Sequence, residues 1–569
     1  MPAMKWWGWG EEGVEFSAED KPALAPFIAE KIAVDIRARN GASVRFDELA
    51  ITEPTLPSDL HRDLEQAAGP GFVSTDRLDR VVHGRGKSLR DLIRQRQGDL
   101  PRLPDVVVRP GSEEDVSAIV QAALRADAVL IPFGGGSSIS GSLQAPDGET
   151  RPVISVDLER LDAVLDLDRE SRLARVQAGV FGPHLETQLE ALGYTFGHFP
   201  DSFPHSTLGG WIATRSSGMQ SDRYGDIADM VKGLRVVTPS GTLVTRAVPA
   251  ASNGPSVRQM VLGSEGRLGI ITEATVHVRR IPKQRTILGY LFPTFADGLA
   301  AMRDLAASDY SVSVTRVSDA NETQFSYAMR ANPTAVDKLQ SAALKTYVQR
   351  RLGFDVDRMC LSFIGYEGSE RHVASLRRAV GRLVKRHGGL CVGSGPGVLY
   401  DQKKFDIPYI RDFLLDRGAP GDVSETATTW SNLMPLYDAV SKAANGAFDR
   451  LGVPGYAMCH LSHSYHAGAC LYFTFAFKGT SPANMVTEYE VVKSAIQQAF
   501  VDNGGTLSHH HAVGTEHAQW LEQDISAPGV AMLEALFAGT DPGQHLNPGK
   551  IVGDDHRPVL DPRSLEARD

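Results

Sequence analysis

The sequence predicts an α+β protein built from at least two domains. Its 569 residues are too many for one hydrophobic core, and an apolar content of 42% is enough to fill more than one. Short β-type runs recur between residues 153 and 280, whereas strands alternate with long helices from 286 to 504. The first pattern favours a mixed or antiparallel sheet, and the second predicts a further α+β domain.

Charge and cysteine content exclude several classes of protein. There are 59 Lys and Arg residues against 69 Asp and Glu, a net charge of −10, so a broad nucleic-acid-binding surface is not expected. The cysteines, at positions 360, 391, 459 and 470, form no C-x-x-C pair and predict neither a disulfide framework nor a zinc site. No apolar run is long enough to suggest a membrane span, so we expect a soluble cytoplasmic protein.

Segment 1–100 is predicted to be mainly helical. It begins with a tryptophan-rich run, Lys5-Trp6-Trp7-Gly8-Trp9. Tryptophan suits both a packed aromatic anchor and the surface of a membrane. The packed anchor is the favoured interpretation.

Residues 101–283 are predicted to form the first domain, and residues 284–504 the second. The first opens with a strand at 106–108, a helix that begins after Ser112, and a strand at 129–131. Its further strands are expected at 154–158, 163–167, 173–178, 234–238, 242–245 and 270–278. The second domain is expected to contain strands at 286–291, 359–365 and 471–477 and helices at 295–307 and 371–387. Residues 505–569 form a C-terminal segment, which is expected to fray after Gly553.

The loop after the 129–131 strand is rich in glycine and small hydroxyl side chains. It contains Gly134-Gly135-Gly136-Ser137-Ser138-Ile139-Ser140-Gly141, and such a backbone can close its N–H groups around a pyrophosphate. Ile139 stands where G-x-G-x-x-G needs its third glycine, and no lysine follows Gly141, so neither a Rossmann nor a Walker site is predicted. On this first loop alone, a plain flexible turn is almost as good an explanation.

Two more loops of the same kind follow in the first domain. The second loop runs from 200 to 218 and the third from 263 to 273, and both lie near predicted strands. Three such loops in one domain suit an extended ligand that carries a diphosphate and a large ring.

The order of these loops resembles the FAD-binding domain of the vanillyl-alcohol oxidase flavoprotein family. The resemblance implies a two-part FAD-binding domain with an α+β cap domain for the substrate. No histidine lies in the first loop, where some relatives tether the flavin, so noncovalent FAD is expected. The expected FAD contacts are Pro132, Phe133, Gly134, Gly135, Gly136, Ser137, Ser138, Asp201, Ser202, Ser206, Thr207, Thr214, Arg215, Ser216, Ser217, Glu265, Gly266, Arg267, Leu268, Gly269, Ile270 and Ile271.

Within that family the sequence resembles the alkyldihydroxyacetonephosphate synthases over nearly its whole length. The similarity is carried by residues 5–10, 200–219, 409–412, 465–473 and 508–514. These enzymes exchange the acyl group of acyl-dihydroxyacetone phosphate for a fatty alcohol, with no net redox change. The resemblance implies a small lipid substrate, loose membrane contact to collect the alcohol, and a C-terminal segment that returns to the flavin. Homodimers are common in the family, although no segment of this sequence demonstrates one.

The same resemblance gives Tyr465 an acid/base role. The reaction needs a base beside the substrate ketone and an electrophilic flavin N5, which traps the carbon skeleton as an adduct while the carboxylate leaves. A phenol has an unperturbed pKa of about 10, so it acts as a base near neutrality only beside cationic groups. His509, His510 and His511, the histidine trio, are expected to supply that help or to transfer protons beside the flavin.

Strand geometry limits what the histidines can do. Neighbours in a strand point to opposite faces, so the histidine trio cannot ligate one metal without a sharp bend, and no metal is predicted. By the same alternation, His463 is expected to share a face with Tyr465. His460 and His466 are expected to point the other way, as residues of the strand or the pocket rim.

Two arginines match positions that the family uses. Arg411 is implied to bind the substrate phosphate, and Arg316 to support activity. A guanidinium offers the paired donors that phosphate or carboxylate needs. From the residues alone, a surface ion pair is the ordinary role of either arginine.

Two segments depart from the synthase pattern and keep an alternative open. Thr515-Glu516-His517 stands where the synthases have basic residues, and Leu546-Asn547-Pro548-Gly549-Lys550 looks like the D-lactate and other 2-hydroxyacid dehydrogenases. The alternative function is therefore an FAD-linked oxidase or dehydrogenase of a 2-hydroxyacid or alcohol. A noncatalytic flavin-binding protein is the third hypothesis.

Overall fold

The computed structural model describes residues 4–39, 44–332 and 335–553. In the first half the strands are β1 (Val73–Ser74), β2 (Val106–Val108), β3 (Val129–Phe133), β4 (Val153–Asp157), β5 (Val164–Asp168), β6 (Leu173–Gln177), β7 (Tyr194–Thr195), β8 (Val231–Thr238), β9 (Gly241–Val244), β10 (Ile270–His277) and β11 (Arg279–Arg280). In the second half they are β12 (Gln284–Phe292), β13 (Val314–Ser318), β14 (Cys360–Gly368), β15 (Leu390–Gly393), β16 (Gly421–Thr429), β17 (Gly455–Ser464) and β18 (Gly468–Phe477). The segment after Gly553, for which the sequence predicts fraying, lies outside the described residues.

Helices connect these strands throughout the chain. Through the first domain and into the second they are α1 (Leu24–Ile32), α2 (Ser58–Ala68), α3 (Arg77–Val82), α4 (Leu89–Arg96), α5 (Glu113–Arg125), α6 (Gly182–Ala191), α7 (Leu208–Thr214), α8 (Ser221–Tyr224), α9 (Ile227–Met230), α10 (Val257–Val261) and α11 (Phe295–Ala306). The remainder are α12 (Ala320–Ala328), α13 (Ala335–Leu352), α14 (Glu370–Arg386), α15 (Gly395–Lys403), α16 (Ile407–Leu415), α17 (Leu433–Leu451), α18 (Met485–Asp502) and α19 (Leu521–Thr540). No helix of the described ranges is both long and apolar enough to span a bilayer.

The sheets confirm the predicted α+β class. One sheet of the first domain has the order β1-β2-β4-β3, in which β2, β4 and β3 are parallel and β1 is antiparallel to β2. The other has the order β5-β6-β10-β8-β9 and is antiparallel throughout. The cap domain contains a seven-stranded antiparallel sheet of order β15-β12-β14-β13-β17-β18-β16. The first domain is thus built in two parts, and the cap is a separate layer.

The strand–helix–strand unit before the first loop forms as its residues predict. Ser112 caps α5 by accepting the N–H of Asp115 at 3.1 Å, and acidic residues occupy the first turn, where the helix dipole favours them. The apolar face of α5 packs on β2, β3 and β4, so the end of β3 has a fixed position. The glycine-rich loop starts from that end.

The cap sheet is covered by helices on its apolar side. Leu436, Val440 and Ala444 of α17 are buried in one cluster with Phe473 and Phe475 of β18. Burying a phenylalanine side chain contributes about 1.5 to 3 kcal/mol, so these contacts fix α17 firmly on the sheet. The opposite face of β17 and β18 faces the first domain and lines the space between the two.

The C-terminal segment is attached to the first domain through β3. Leu130 donates its N–H to the carbonyl of His545 at 2.6 Å and accepts the N–H of Asn547 at 2.8 Å. Leu546 is buried in the core of this domain. Residues 545–547 therefore extend the edge of a sheet whose other strands lie several hundred residues earlier in the sequence.

The tryptophan-rich run is packed inside the protein, as the anchor prediction requires. Trp6 and Trp9 are both buried. The backbone N–H of Trp9 donates to Asp412 Oδ2 at 2.6 Å, and Arg96 donates from Nη2 to Asp412 Oδ1 at 2.9 Å. Gly8 permits this approach, because a Cβ there would meet the Asp412 carboxylate at 2.5 Å. The N-terminal segment is thereby fastened to α16 of the cap domain.

We expect Asp412→Asn to destabilise the protein, because it removes the less exposed of the two carboxylates that pair with the half-buried Arg96 guanidinium. Losing a hydrogen bond to a charged group should cost about 2 to 3 kcal/mol of unfolding free energy, measured by urea unfolding followed by tryptophan fluorescence. Asp416 is the matched control, since it accepts from Arg96 Nε at 3.0 Å but is more exposed. Asp416→Asn should cost less than about 1 kcal/mol, and equal losses in the two variants would contradict the assignment.

Candidate active site

The three glycine-rich loops, the cap sheet and the C-terminal segment line one cavity. Its empty volume is about 1800 Å³, including the open mouth. The predicted FAD contacts that line it are Pro132, Phe133, Gly134, Gly135, Gly136, Ser137, Ser138, Asp201, Ser202, Ser206, Thr207, Thr214, Ser216, Ser217, Glu265, Gly266, Gly269 and Ile271. Arg316, Arg411, His510 and His511 line the same cavity. Most of the predicted site residues are thus brought together.

The first loop fits a ligand that approaches its backbone closely. A Cβ on Gly134 would overlap the hydroxyl of Thr207, and one on Gly135 would overlap the carbonyl oxygen of His205. Gly136 has a φ of 66°, which favours glycine. Bare backbone packed against the second loop is what the diphosphate of FAD needs, and the residues present fit that group.

Glu265 joins the third loop to the C-terminal segment. Its carboxylate accepts the N–H groups of Val513 at 3.0 Å and Gly514 at 2.9 Å, and the hydroxyl of Ser142 also donates to it. Asn547 donates to the carbonyl oxygens of Ser142 at 3.0 Å and of Glu265 at 2.6 Å. Burial raises the pKa of Glu265, which these donors oppose. The Glu265 side chain therefore links the third loop to the C-terminal segment, and Glu265 also lines the cavity.

Four predicted FAD contacts lie away from the cavity wall. Arg215 ends α7 in the left-handed conformation, with its side chain against the carbonyl of Leu262. Arg267 stacks on Phe537 with 4.7 Å from its guanidinium carbon to the ring centre. Leu268 and Ile270 are buried in the hydrophobic cores. Leu268 and Ile270 thus pack behind the wall, Arg267 is buried against Phe537, and Arg215 is exposed.

A buried carboxylate of the cap sheet shapes the histidine trio. Glu425 of β16 accepts the backbone N–H groups of His509 at 2.6 Å, His510 at 3.1 Å and His511 at 3.0 Å, and the hydroxyl of Ser508 at 2.7 Å. The segment is therefore a bend, not a strand, and the trio does not alternate between two faces. Burial would raise the pKa of Glu425, but the histidines and these N–H donors outweigh it and hold the pKa well below its ordinary value.

Two members of the trio are neutral at physiological pH. Burial lowers the pKa of His510 to about 3 and that of His511 to about 4, against the opposing pull of Glu425. Each ring can therefore accept a proton from a ligand without first losing one. Both rings line the cavity.

Tyr465 and His509 stand directly behind the wall. The Tyr465 hydroxyl donates to Asp226 Oδ2 at 2.8 Å and lies 2.6 Å from His509 Nε2. His509 Nδ1 lies 2.9 Å from His510 Nδ1. A continuous chain of polar groups thus leads from the cavity wall at His510, through His509, to Tyr465 and Asp226.

The expected lowering of the tyrosine pKa by cationic histidines is wrong. Burial raises the pKa of Tyr465, and the charge of Asp226 raises it further. Burial would also raise the pKa of Asp226, but interaction with His463 and His509 lowers it, so that its carboxylate stays charged. Tyr465 is accordingly a protonated phenol that donates a hydrogen bond.

A β-bulge corrects the predicted arrangement of the strand histidines. The pairing of β17 with β18 is regular up to Leu461–Leu471 but continues at His463–Cys470, so Ser462 is an extra residue. The extra residue turns His463 to the face of His460, and both line the cavity. His466 lies beyond the end of β17, where its side chain is exposed. In β17, His463 therefore faces the cavity together with His460, whereas the sequence predicts that it shares a face with Tyr465.

The two predicted arginines line the cavity, and each is held by a carboxylate. Arg316 donates to Glu322 Oε1 at 2.5 Å and lies 3.2 Å from His460 Nδ1. Arg411 donates from Nη2 to Asp422 Oδ1 at 2.6 Å, and its buried Nε has no hydrogen-bond partner among the described residues. The ion pairs expected for an ordinary arginine are present, but they are buried and leave one donor of Arg411 unpaired.

Within the described part of the chain, Glu425, Cys470, His509 and His510 could reach a common cation. The donors do not suit one. Both carboxylate oxygens of Glu425 already accept backbone N–H groups. Burial raises the pKa of the Cys470 thiol well above its ordinary value, whereas a metal ligand must be a thiolate.

Several important residues carry no signal in the sequence. Asp226, Glu425 and Asp422 act through contacts with residues far along the chain, and an isolated acidic residue in a sequence does not reveal such a partner. Trp9 and Asn547 line the cavity from the two ends of the chain. Two sequence features could have pointed to these residues. Asn547 lies in the segment that resembles the hydroxyacid dehydrogenases, and Trp9 is flanked by the glycines Gly8 and Gly10.

Two family models match the chain. An FAD-binding domain matches residues 104–246, and the C-terminal domain of FAD-linked oxidases matches residues 281–551. The chain is 37% identical to the alkyldihydroxyacetonephosphate synthase of Dictyostelium discoideum, over 96% of this chain and 93% of the relative. It is 32% identical to the synthase of Caenorhabditis elegans, over 97% and 96%.

Solved structures agree with these matches. A crystal structure of an alkyldihydroxyacetonephosphate synthase superposes with a TM-score of 0.81 at 34% identity, covering 96% of this chain and 98% of the other. p-Cresol methylhydroxylase, at 14% identity and a TM-score of 0.66 over 87% of this chain and 96% of the other, shares the fold alone. A mitochondrial D-lactate dehydrogenase (cytochrome) of Arabidopsis thaliana is more distant, at 26% identity over 84% of this chain and 78% of the relative.

The cavity and the comparisons lead to the same assignment. The loops that fit a diphosphate lie within or beside the matched FAD-binding domain. Of the polar chain behind the wall, His510, His509 and Tyr465 lie in the matched oxidase domain and Asp226 lies in the FAD-binding domain. The synthase relatives cover nearly the full length, which the dehydrogenase does not. The chain belongs to the alkyldihydroxyacetonephosphate synthase family of FAD-dependent enzymes.

Proposed function

We propose that this protein replaces the acyl group of an acyl-dihydroxyacetone phosphate by a fatty alcohol and so makes an ether lipid precursor. One observation carries the proposal: a single cavity joins an arginine with a free buried donor to a chain of proton-transferring groups and to the FAD-binding loops. The synthase relatives support it over their full length.

Arg411 would bind the phosphate of the substrate. Its Nη2 is fixed by Asp422, which also accepts the hydroxyl of Tyr489 at 2.9 Å. A guanidinium held at one end presents its remaining donors in a constant direction, which suits a phosphate. The buried charge of Asp422 keeps the arginine in place before the substrate arrives.

Glu516 belongs to the same buried network and explains one departure from the synthase pattern. It accepts the Tyr489 hydroxyl at 3.2 Å and pairs with Arg90 at 3.5 Å. Its negative charge is therefore balanced by Arg90. The acidic residue after the histidine trio does not leave the phosphate site with a net repulsive charge.

The neutral rings of His510 and His511 would take the proton from the carbon beside the ketone. From His510 the proton can pass to His509, which then donates to the Tyr465 hydroxyl oxygen while the phenol's own proton moves to the charged Asp226 carboxylate. The same groups can return a proton to the product. Tyr465 thus serves as a proton donor and acceptor within a chain, without a preformed phenolate.

FAD, when bound, would supply an electrophilic ring against which the carbon skeleton is held while the carboxylate leaves. The residues that would hold it are those of the three loops. On the cap side, Val314, Tyr400, Ile407 and Pro408 give the wall an apolar surface. This surface suits the alkyl chain of the alcohol.

Oxidation of a 2-hydroxyacid is the alternative, favoured by Asn547 in the wall and by the dehydrogenase relative. Several expectations stay predictions, since no contact of the described residues tests them. They are noncovalent attachment of FAD, peripheral membrane contact, homodimerisation, cytoplasmic placement, and the domain boundaries at 100/101, 283/284 and 504/505. On membranes, the structure adds only that the described residues form no helix able to span a bilayer.

Turnover with defined substrates should distinguish the two functions. We expect the purified yellow protein to form an ether bond from acyl-dihydroxyacetone phosphate and a long-chain alcohol, with no bleaching of the flavin under anaerobic conditions. Anaerobic addition of D-lactate or related hydroxyacids should leave the flavin spectrum unchanged. Bleaching by a hydroxyacid without ether formation would establish the alternative.

Tyr465→Phe should abolish most of the turnover, because it interrupts the proton chain while leaving the ring in place. Acid/base groups contribute typically about 10² to 10⁴ in rate, so we expect kcat to fall at least ~100-fold. FAD content, measured by absorbance, should not change. Tyr437→Phe is the matched control, since that hydroxyl donates to Asp319 at 3.0 Å inside the cap and Tyr437 does not line the cavity. Full activity of Tyr465→Phe would remove this residue from the mechanism.

The neutral state of His511 predicts how stability depends on pH. Its folded pKa of about 4 lies below the ordinary 6.5, so the unfolded chain binds a proton first, and stability present above pH 6.5 is lost as the pH falls toward 4. In His511→Gln, the slope of the unfolding free energy against pH should be smaller by about 1.4 kcal/mol per pH unit between pH 6 and 4.5. Urea unfolding at several pH values measures this slope. His184→Gln, at an exposed position, should leave the slope unchanged. An unchanged slope in His511→Gln would show that the ring is charged in the folded protein.

A further inference from the structure

We propose that Trp9 is a ligand-binding residue whose indole N–H donates to a phosphate oxygen of a bound ligand. Trp9 lines the cavity although it lies at the far N-terminal end of the chain. Its side chain is only 3% exposed, and its Nε1 has no hydrogen-bond partner among the described residues. An indole N–H can only donate, so the missing partner must be an acceptor.

The unpaired donor calls for a physical explanation. Leaving a buried donor unsatisfied costs about 1 to 3 kcal/mol, and buried polar groups in native proteins are nearly always paired. A second tryptophan of the same wall, Trp211, obeys this rule, since its Nε1 donates to the Ser206 hydroxyl at 2.7 Å. Trp9 differs from Trp211 in that its buried N–H has no partner among the described residues.

Arg411 gives the second, independent observation. It is 7% exposed, it lines the same cavity, and its Nε is also buried without a partner in the described chain. The two donors are linked through α16, because Asp412, the next residue, accepts the backbone N–H of Trp9. Two residues of one cavity that each keep a buried donor unpaired in the described chain point to an anionic ligand with more than one acceptor.

The local structure makes Trp9 rigid enough to bind. Gly8 and Gly10 flank it, and Gly10, with a φ of 72°, lets the chain pass closely over the Tyr409 hydroxyl. The Trp9 ring lies 5.9 Å from the ring of His205, whose carbonyl packs on Gly135 of the first loop. The indole is therefore positioned between α16 and the FAD-binding loop before any ligand arrives.

This placement leaves two sources for the phosphate oxygen. One is the diphosphate of FAD on the first loop, and the other is the phosphate of the substrate at Arg411. The second source rests on the proposed function, whereas the first does not. In both cases the chemistry is the same: an uncharged N–H donates to a charged oxygen in a site shielded from water.

Trp9→Phe tests the proposal, because it keeps an aromatic ring and removes the N–H. A hydrogen bond to a charged oxygen should weaken the affected ligand about tenfold or more when lost. If FAD is the source, its dissociation constant for the apoprotein, followed by flavin fluorescence, should rise by that factor. If the substrate is the source, FAD binding should not change, and calorimetry of the FAD-loaded protein should show weaker binding of dihydroxyacetone phosphate, a readout that needs no turnover.

Trp6→Phe is the matched control. Trp6 is also buried, but it packs with Leu49, Val81 and Leu103 in a cluster that does not reach the cavity. Both dissociation constants should keep their native values in this variant. Unchanged constants in Trp9→Phe, or equal losses in the two variants, would overturn the proposal.

A second readout covers the case in which Trp9→Phe does not fold. Native protein labelled with [¹⁵N]tryptophan should show one indole N–H resonance that moves downfield when FAD is added to the apoprotein or dihydroxyacetone phosphate to the FAD-loaded protein. A hydrogen bond from Trp9 requires this shift. Indole resonances that do not move downfield with either ligand would rule the subsite out.

Discussion

The active site depends on two buried carboxylates that hold one short segment between two domains. Glu425 of the cap sheet accepts the backbone N–H groups of the histidine trio, and Glu265 of the FAD-binding domain accepts those of Val513 and Gly514. Main-chain N–H groups and one serine hydroxyl donate to each of these buried carboxylates. The rings at 509–511 owe their positions to the backbone that Glu425 bends.

The electrostatics of the site follow from this arrangement. Negative charge is placed behind the wall, at Glu425 and Asp226, while the rings that face the cavity at His510 and His511 stay neutral. Positive charge toward the ligand comes from Arg316 and Arg411, each held by its own carboxylate. Binding of an anion and transfer of a proton are thus assigned to different groups, which can act without competing for one charge.

Sequence patterns predicted the parts of this molecule that depend on local rules. The helix after Ser112, the strands around it and the glycine-rich loops follow from capping, periodicity and backbone freedom, and all appear close to their expected bounds. The failures have a common origin in long-range contacts. The extra residue at Ser462 reverses the faces of the strand histidines, and the neutral state of His510 and the raised pKa of Tyr465 arise from burial that only the tertiary structure creates.

The attachment of the C-terminal segment to β3 has a consequence for biosynthesis. Leu130 pairs with residues 545–547, and the histidine trio lies at 509–511, so the wall of the cavity is incomplete until these residues have left the ribosome. Domains generally fold as units from the N-terminus during synthesis. The FAD-binding sheets can therefore form early, but a nascent chain has no proton chain and no closed cavity. Capacity for chemistry therefore requires synthesis of residues 509–547, which supply the histidine trio and pair with the sheet edge at β3.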